Sequence, residues 1–132
     1  MANEAQVKIL KERGVAVWNQ WRLTNPKIPI DLTGVDFAGV DLRGADLNNA
    51  NLTRANFGVA NMVVLDRNLA RSPLTANLHG SDLRNANLTS ASLCGVNLGL
   101  ANLDGALLFG TDLDQASYNR ENPALILASL PG

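Results

Sequence analysis

The sequence is short of most of what chemistry needs. Its 132 residues include one cysteine, Cys94, and one histidine, His79. No internal disulfide framework and no histidine-rich ligand set can be built from them. A Ser-His-Asp arrangement would rest on that single imidazole, and the chain has no glycine loop followed by Lys and Ser/Thr to cradle a phosphate. Eleven basic residues face twelve acidic ones, which provides no field to draw nucleic acid or an anionic membrane. Asp and Asn break up the apolar residues every few positions, so no run is long enough to span a bilayer. The first residues, MANEAQVKILKERG, have neither the apolar core nor the small-residue cleavage site of a secretory leader. These absences lead us to expect a cytoplasmic protein that is not an enzyme and carries no cofactor or metal.

What is present is a five-residue beat. A large apolar residue recurs at every fifth position from Leu32 to Met62, and again from Leu78 to Tyr118. Two places before each centre stands a small or β-branched residue, such as Val35, Ala45 or Ala86, and the residue between is nearly always Asp or Asn. A helix would scatter such a set around its axis, and a strand would throw alternate members to opposite faces. A chain that turns a corner after each unit satisfies the pattern. The centre and the residue two before it then point inward, as i and i−2 do on a strand, leaving the Asp or Asn and the two corner residues outside. Gly34, Gly39, Gly44, Gly80, Gly95, Gly105 and Gly110 hold the last corner position, shared with Asn49, Asn85 and Ser90. These types suit tight turns. A fixed repeat of this kind means stacked units that bury their apolar faces against one another, making an all-β solenoid.

The A-(D/N)-L-x-x pattern from about Ile30 to Arg120 resembles the pentapeptide-repeat proteins. The resemblance implies a right-handed quadrilateral β-helix with four units per coil. It also implies a range of roles, among them DNA mimicry that inhibits or protects DNA gyrase, and the family is numerous in cyanobacteria. The stretch Trp18 to Arg22, Trp-Asn-x-Trp-Arg, looks like the caps of some relatives.

Three segments follow. Residues 1–29 form an N-terminal helical cap. The pattern predicts a helix from Asn3 to Thr24, with Asn3 as N-cap, Gln6 as its capping-box partner, and Val7, Leu10, Gly14, Val17, Trp18 and Trp21 on one face. Asn25-Pro26 stops it. Residues 30–120 form the repeat shaft. Residues 121–132 form a short C-terminal cap, with Asn122-Pro123 starting a helical turn and Ala124 to Leu130 lying over the last coil. The shaft is interrupted by an insertion at about 63–75, because Met62 and Leu78 are out of phase. Either degenerate units centred on Leu69 and Leu74 fill the gap, stacking Phe37, Phe57, Leu78, Leu98 and Tyr118 in one column, or the segment loops out. Pro73, which lacks a backbone donor, favours a bulge around Leu65 to Pro73.

Candidate sites are few. His79 falls at an outward corner as a solvated side chain, and Cys94 sits at another, partly exposed and without a basic neighbour to activate it. Asp31, Asp36, Asp41 and Asp46 lie on four different faces and cannot converge on one ion. The shaft carries six basic and nine acidic residues over 30–120, too mild a balance for DNA mimicry. Insertions in repeat arrays often carry function, which singles out Leu65, Asp66, Arg67 and Arg71. Outward apolar residues mark a second candidate. Leu107 and Phe109 flank the inward Leu108, with Leu100, Val59, Val63 and Val64 as similar departures. Segment 124–130 covers Leu107 and Phe109, or else they join two protomers as a homodimer through the C-terminal end. The expected function is a structural or protein-interaction module with a protein partner, no membrane and no direct nucleic-acid contact. DNA-gyrase mimicry is the alternative.

Overall fold

The computed structural model describes residues 2–57, 76–114 and 116–117. Every coil is written in single-residue parallel bridges. Asp31 pairs with Asn51 and Asp36 with Asn56, an offset of 20 residues, which is four units per turn. The first coil runs over 30–49, the second over 50–57 and 76–85, the third over 86–105, and the fourth starts at 106. Each coil shows four faces, numbered here by the first-coil residues Asp31, Asp36, Asp41 and Asp46.

Unit 50–54 shows why the beat is five. Its five backbone N–H groups each have a different partner. Ala50 closes the previous corner on Leu47 C=O at 3.0 Å, Asn51 bonds down to Ile30 C=O at 2.9 Å, and Leu52 and Arg54 bond up to Asn87 and Thr89 C=O at 2.8 and 2.9 Å. The remaining donor, Thr53 N–H at the corner, bonds to Asn51 Oδ1 at 3.1 Å. No backbone donor is left over, as a repeating structure with a dry interior requires. The last corner residue takes positive φ at every described corner through Gly110, as the third position of a type II turn demands. Besides the expected Gly, Asn and Ser, Arg54 (φ 60°) and Leu100 (φ 57°) also hold it.

The core is the stack of centres. Leu32, Leu42, Leu47, Leu52, Leu83, Leu88 and Leu93 are fully buried, each worth about 1.5–3 kcal/mol in transfer terms. Phe37 and Phe57 stack with ring centroids 5.3 Å apart.

The break resolves at one corner. Ala76 N–H donates to Phe57 C=O at 2.6 Å, the same bond by which Val40 closes on Phe37 at 3.0 Å. Phe57 and Ala76 therefore close a corner as Phe37 and Val40 do, and the array resumes in register: Asp41 bridges Asn77 and Asp46 bridges Asp82. Of the two alternatives, this rules out the one that stacks Phe57 and Leu78 in a single column. Bridge Asn56–Ser92 sets Phe57 beneath Leu93, and bridge Asp41–Asn77 sets Leu78 above Leu42. Met62, Leu69, Leu74 and Tyr118 lie outside the described residues, as does the segment 121–132 expected to form a C-terminal cap.

The N-terminal cap is two helices rather than one. Helix α1 spans Glu4–Lys8 and runs into a π-helical turn, Ile9–Arg13; helix α2 spans Val15–Thr24. Gly14 separates them at φ 91°, a left-handed conformation that favours glycine. The break turns Leu10 and Trp18 onto the floor of the first coil, 1% and 0% exposed, and leaves Val17 outside. Asn3 does cap α1, with Oδ1 accepting from Gln6 N–H at 3.2 Å. Gln6 does not complete a capping box. Its side chain is buried and bonds to the shaft at Pro29 and Asp31, as that of Asn19 does at Gly44 and Asp46.

Candidate functional site

The outer surface is regular because its polar groups serve the corners. Asp31, Asp36, Asp41, Asp46, Asn77, Asp82, Asn87 and others each accept, through Oδ1, the N–H two residues on, at 3.0–3.2 Å. On the first face the hydroxyls of Thr33, Thr53 and Thr89 join the same oxygens at 2.6–2.7 Å. Where Asp or Asn holds this position, read from sequence as merely solvated, it thus forms an Asx turn in most described rungs. The signal was the absence of Glu and Gln at this position, since only the shorter side chain reaches its own backbone two residues ahead.

The acids do not converge. Asp31 is held below the usual carboxylate range by the Thr33 hydroxyl and then by its N–H. Asp41 and Asp82 are lowered chiefly by hydrogen bonds from Arg43 and Arg84, two residues along the same corner, at 2.6 and 2.8 Å. Such exposed pairs contribute little to stability. Among the described residues no group of three His, Cys, Asp or Glu side chains is placed to hold a metal ion, and no helix is long and apolar enough to cross a membrane.

Departures from the rule are more telling. At Leu107 an apolar side chain replaces the Asx cap, so Phe109 N–H has no side-chain acceptor there; Leu107 is 44% and Phe109 70% exposed. They sit on the first face of the fourth coil, directly above Asn87 and Thr89. Just inside the rim, Ala106, Leu108, Leu113 and Ala116 are partly rather than fully buried. Apolar surface therefore runs from the outer face over the rim of this coil. Leu100, 77% exposed, stands at a different corner of the third coil and does not join that patch.

The remaining candidates carry less. His79 is exposed, with its ring over Gly99, where a Cβ would come within 3.0 Å of Cδ2. Cys94, expected to be partly exposed, is buried together with its neighbour Ser92. Burial pushes its thiol above the ordinary value, and Asp112 and Asp114 push it further, so it is not activated as a nucleophile. A cleft of about 460 Å³ between the cap and the first coil is lined by Gly14, Val15, Asp41 and Arg43, but Arg43 is committed to Asp41. Leu65, Asp66, Arg67, Arg71, Val59, Val63 and Val64 lie outside the described residues.

The family model described as pentapeptide repeats matches residues 30–63 and 76–108, in eight copies. No curated protein matches the chain. Among solved structures, the chain is similar to HetL, a pentapeptide repeat protein involved in heterocyst differentiation regulation from the cyanobacterium Nostoc: 40% identity over 66% of this chain and 35% of HetL, TM-score 0.39. It is also similar to a pentapeptide repeat protein from the Arabidopsis thaliana thylakoid lumen, at 27% identity over 69% of this chain and 55% of that one, TM-score 0.36. A third, Rfr23 from the cyanobacterium Cyanothece, shares 29% identity over 70% of this chain and 63% of its own, TM-score 0.34. The chain spans less than two thirds of the length of each of these three proteins.

Proposed function

The chain belongs to the pentapeptide-repeat family, and on that premise we propose that it is a non-catalytic, cytoplasmic protein-interaction module. The family supplies the right-handed sense and quadrilateral section of the β-helix. The shaft is the rigid support, and the apolar rim at Leu107 and Phe109 is the contact surface for a protein partner. One observation carries this reading. A phenylalanine 70% exposed, beside a leucine standing where most described rungs carry an Asp or Asn cap, gives up a local hydrogen bond and exposes apolar area without any gain to the shaft. Aromatic anchors of this kind dominate binding energy at protein interfaces. A second copy meeting the same rim would use it twice. The mild charge of the shaft supports no DNA mimicry, and DNA gyrase is expected to supercoil at full rate in excess protein.

The test is affinity capture from the native cell by three proteins: wild type, Leu107→Asp/Phe109→Asp, and a chain lacking Leu65–Pro73, each first shown to melt like wild type. The reading expects a partner retained by wild type and lost from the double variant. The deletion reports separately on the insertion. Equal retention by the double variant overturns the role of the rim.

A further inference from the structure

The last residue of a corner takes positive φ, a conformation that residues with a Cβ seldom adopt. In the column beneath Leu100 stand Gly44 and Gly80, which meet the demand without strain. Leu100 meets it at φ 57° and leaves its side chain 77% exposed. Strain and exposed apolar area thus fall on one residue, and neither serves the core. A strained residue that packs against nothing inside the fold points to a contact outside it.

Leu100 and the rim flank one face of the square. From Leu100 the chain runs along the fourth face through Asn102 and Asp104, turns at Gly105, and reaches Leu107 and Phe109 on the first face. The strand between these two corners, about three residues, spans about 10 Å, the width of a single helix. Asn102 Oδ1 is turned to its own backbone, accepting from Asp104 N–H at 3.0 Å. Asp104 is exposed, and its carboxylate has no ion pair among the described residues. Arg84 lies one rung below it, but that guanidinium is held by Asp82 at 2.8 and 3.0 Å. Between Arg84 and Arg120 the sequence has no Lys or Arg, and Asp104, Asp112 and Asp114 make the stretch negative.

On the reading that the rim at Leu107 and Phe109 is a contact surface, we infer that Leu100 is its second anchor. The fourth face between them seats a basic amphipathic segment of the partner protein. A Lys or Arg of that segment pairs with Asp104, and apolar side chains on either side of it pack on Leu100 and on Leu107 with Phe109. Charge selects this occupant. A second copy brought face to face about a twofold axis would set the acids of this stretch against themselves, and like charges across an interface suppress the wrong partner. An acidic partner meets the same repulsion. The identity of residue 100 then has a reason: glycine would relieve the strain and remove the anchor.

The probe is a random peptide library displayed on phage and panned on the full chain. The recovered peptide is then synthesised, labelled and titrated by fluorescence anisotropy. The expected consensus is a Lys or Arg flanked by apolar residues, bound more weakly as salt rises. Leu100→Gly, Asp104→Asn and Phe109→Ser should each weaken binding about tenfold, as the loss of one anchor or one charge contact does. Leu100→Gly carries the decision, because relief of strain is expected to raise stability; weaker binding by a more stable chain is not damage to the fold. An acidic consensus, no consensus, or equal binding by wild type and Leu100→Gly overturns the inference. So does sedimentation of wild type alone as a dimer that Leu100→Gly returns to monomer, which gives the face to a second copy. A loss confined to Phe109→Ser leaves the rim standing and overturns the seat on the fourth face. A loss in Leu100→Gly and Asp104→Asn without one in Phe109→Ser keeps that seat and removes the rim.

Discussion

The Asx position separates two accounts of the shaft, and Asn87 is the place to decide between them. If that residue were a solvated ornament, its identity would hardly matter. The structure gives Asn87 Oδ1 two donors, Thr89 N–H at 3.1 Å and Thr89 Oγ1 at 2.6 Å. Asn87→Ala removes both bonds. A net loss of about 0.5–1.5 kcal/mol per bond applies where the donors stay buried. Thr89 is half-buried, and its hydroxyl can recover a water while the corner N–H recovers one less well. The expected cost is about 1–2 kcal/mol, a fall in Tm of about 3–8 °C for a domain of this size. Asn87→Asp keeps an acceptor in place and should stay within about 0.5 kcal/mol of wild type. Asn87→Leu copies what stands at Leu107 and should match the alanine variant. Thermal melts by circular dichroism and urea titrations at neutral pH give the ranking. Alanine and aspartate variants of equal stability would refute the capping account.

Interior and corner positions make further tests. Leu88→Asp places an unpaired charge at a fully buried centre, where the cost of several kcal/mol exceeds what an array can absorb; the cooperative unfolding transition should disappear. Leu100→Gly relieves a left-handed leucine, φ 57°, which costs about 1–2 kcal/mol, offset by the extra freedom of glycine in the unfolded chain. A gain of about 0.5–1 kcal/mol is expected in urea titrations, and Gly44→Ala, at φ +72° with open space for a Cβ, should lose about 1–2 kcal/mol by the same strain. Asp31, Asp41 and Asp82 are all lowered in the fold. Their contribution is complete above the unfolded carboxylate value, about 3.9, and is lost as pH falls through the lowered folded values. Urea midpoints should hold from pH 7 to pH 5 and drop below pH 4, with the drop shallower in Asp82→Asn.

What the sequence shows and hides follows from which partners each group uses. The inward series was legible because burial of Leu32 or Leu88 depends on side-chain type and spacing alone. Corner positions were legible for the same reason, since positive φ selects Gly and Asn. Leu100 escaped because the backbone requirement is set by the unit and not by the residue that happens to occupy it. The insertion could be noticed as a slip of phase but not resolved. Its bookkeeping depends on whether Asp41 meets the next unit in sequence or Asn77, and a bridge between coils leaves no trace in local pattern. Cys94 was misjudged because its corner is covered in space, which the period cannot report. Gln6 and Asn19 were the hardest to see. A glutamine three residues after an asparagine has an ordinary local explanation, a capping box, and competing local and distant partners look alike on paper. Its actual partners are backbone atoms at Pro29 and Asp31, and backbone atoms have no letter in the sequence. The same limit explains why the rim could be named from sequence and the way the cap docks on the first coil could not. Leu107 and Phe109 break a side-chain rule that repeats beneath them, whereas the cap obeys a backbone rule that becomes visible once the coils are stacked.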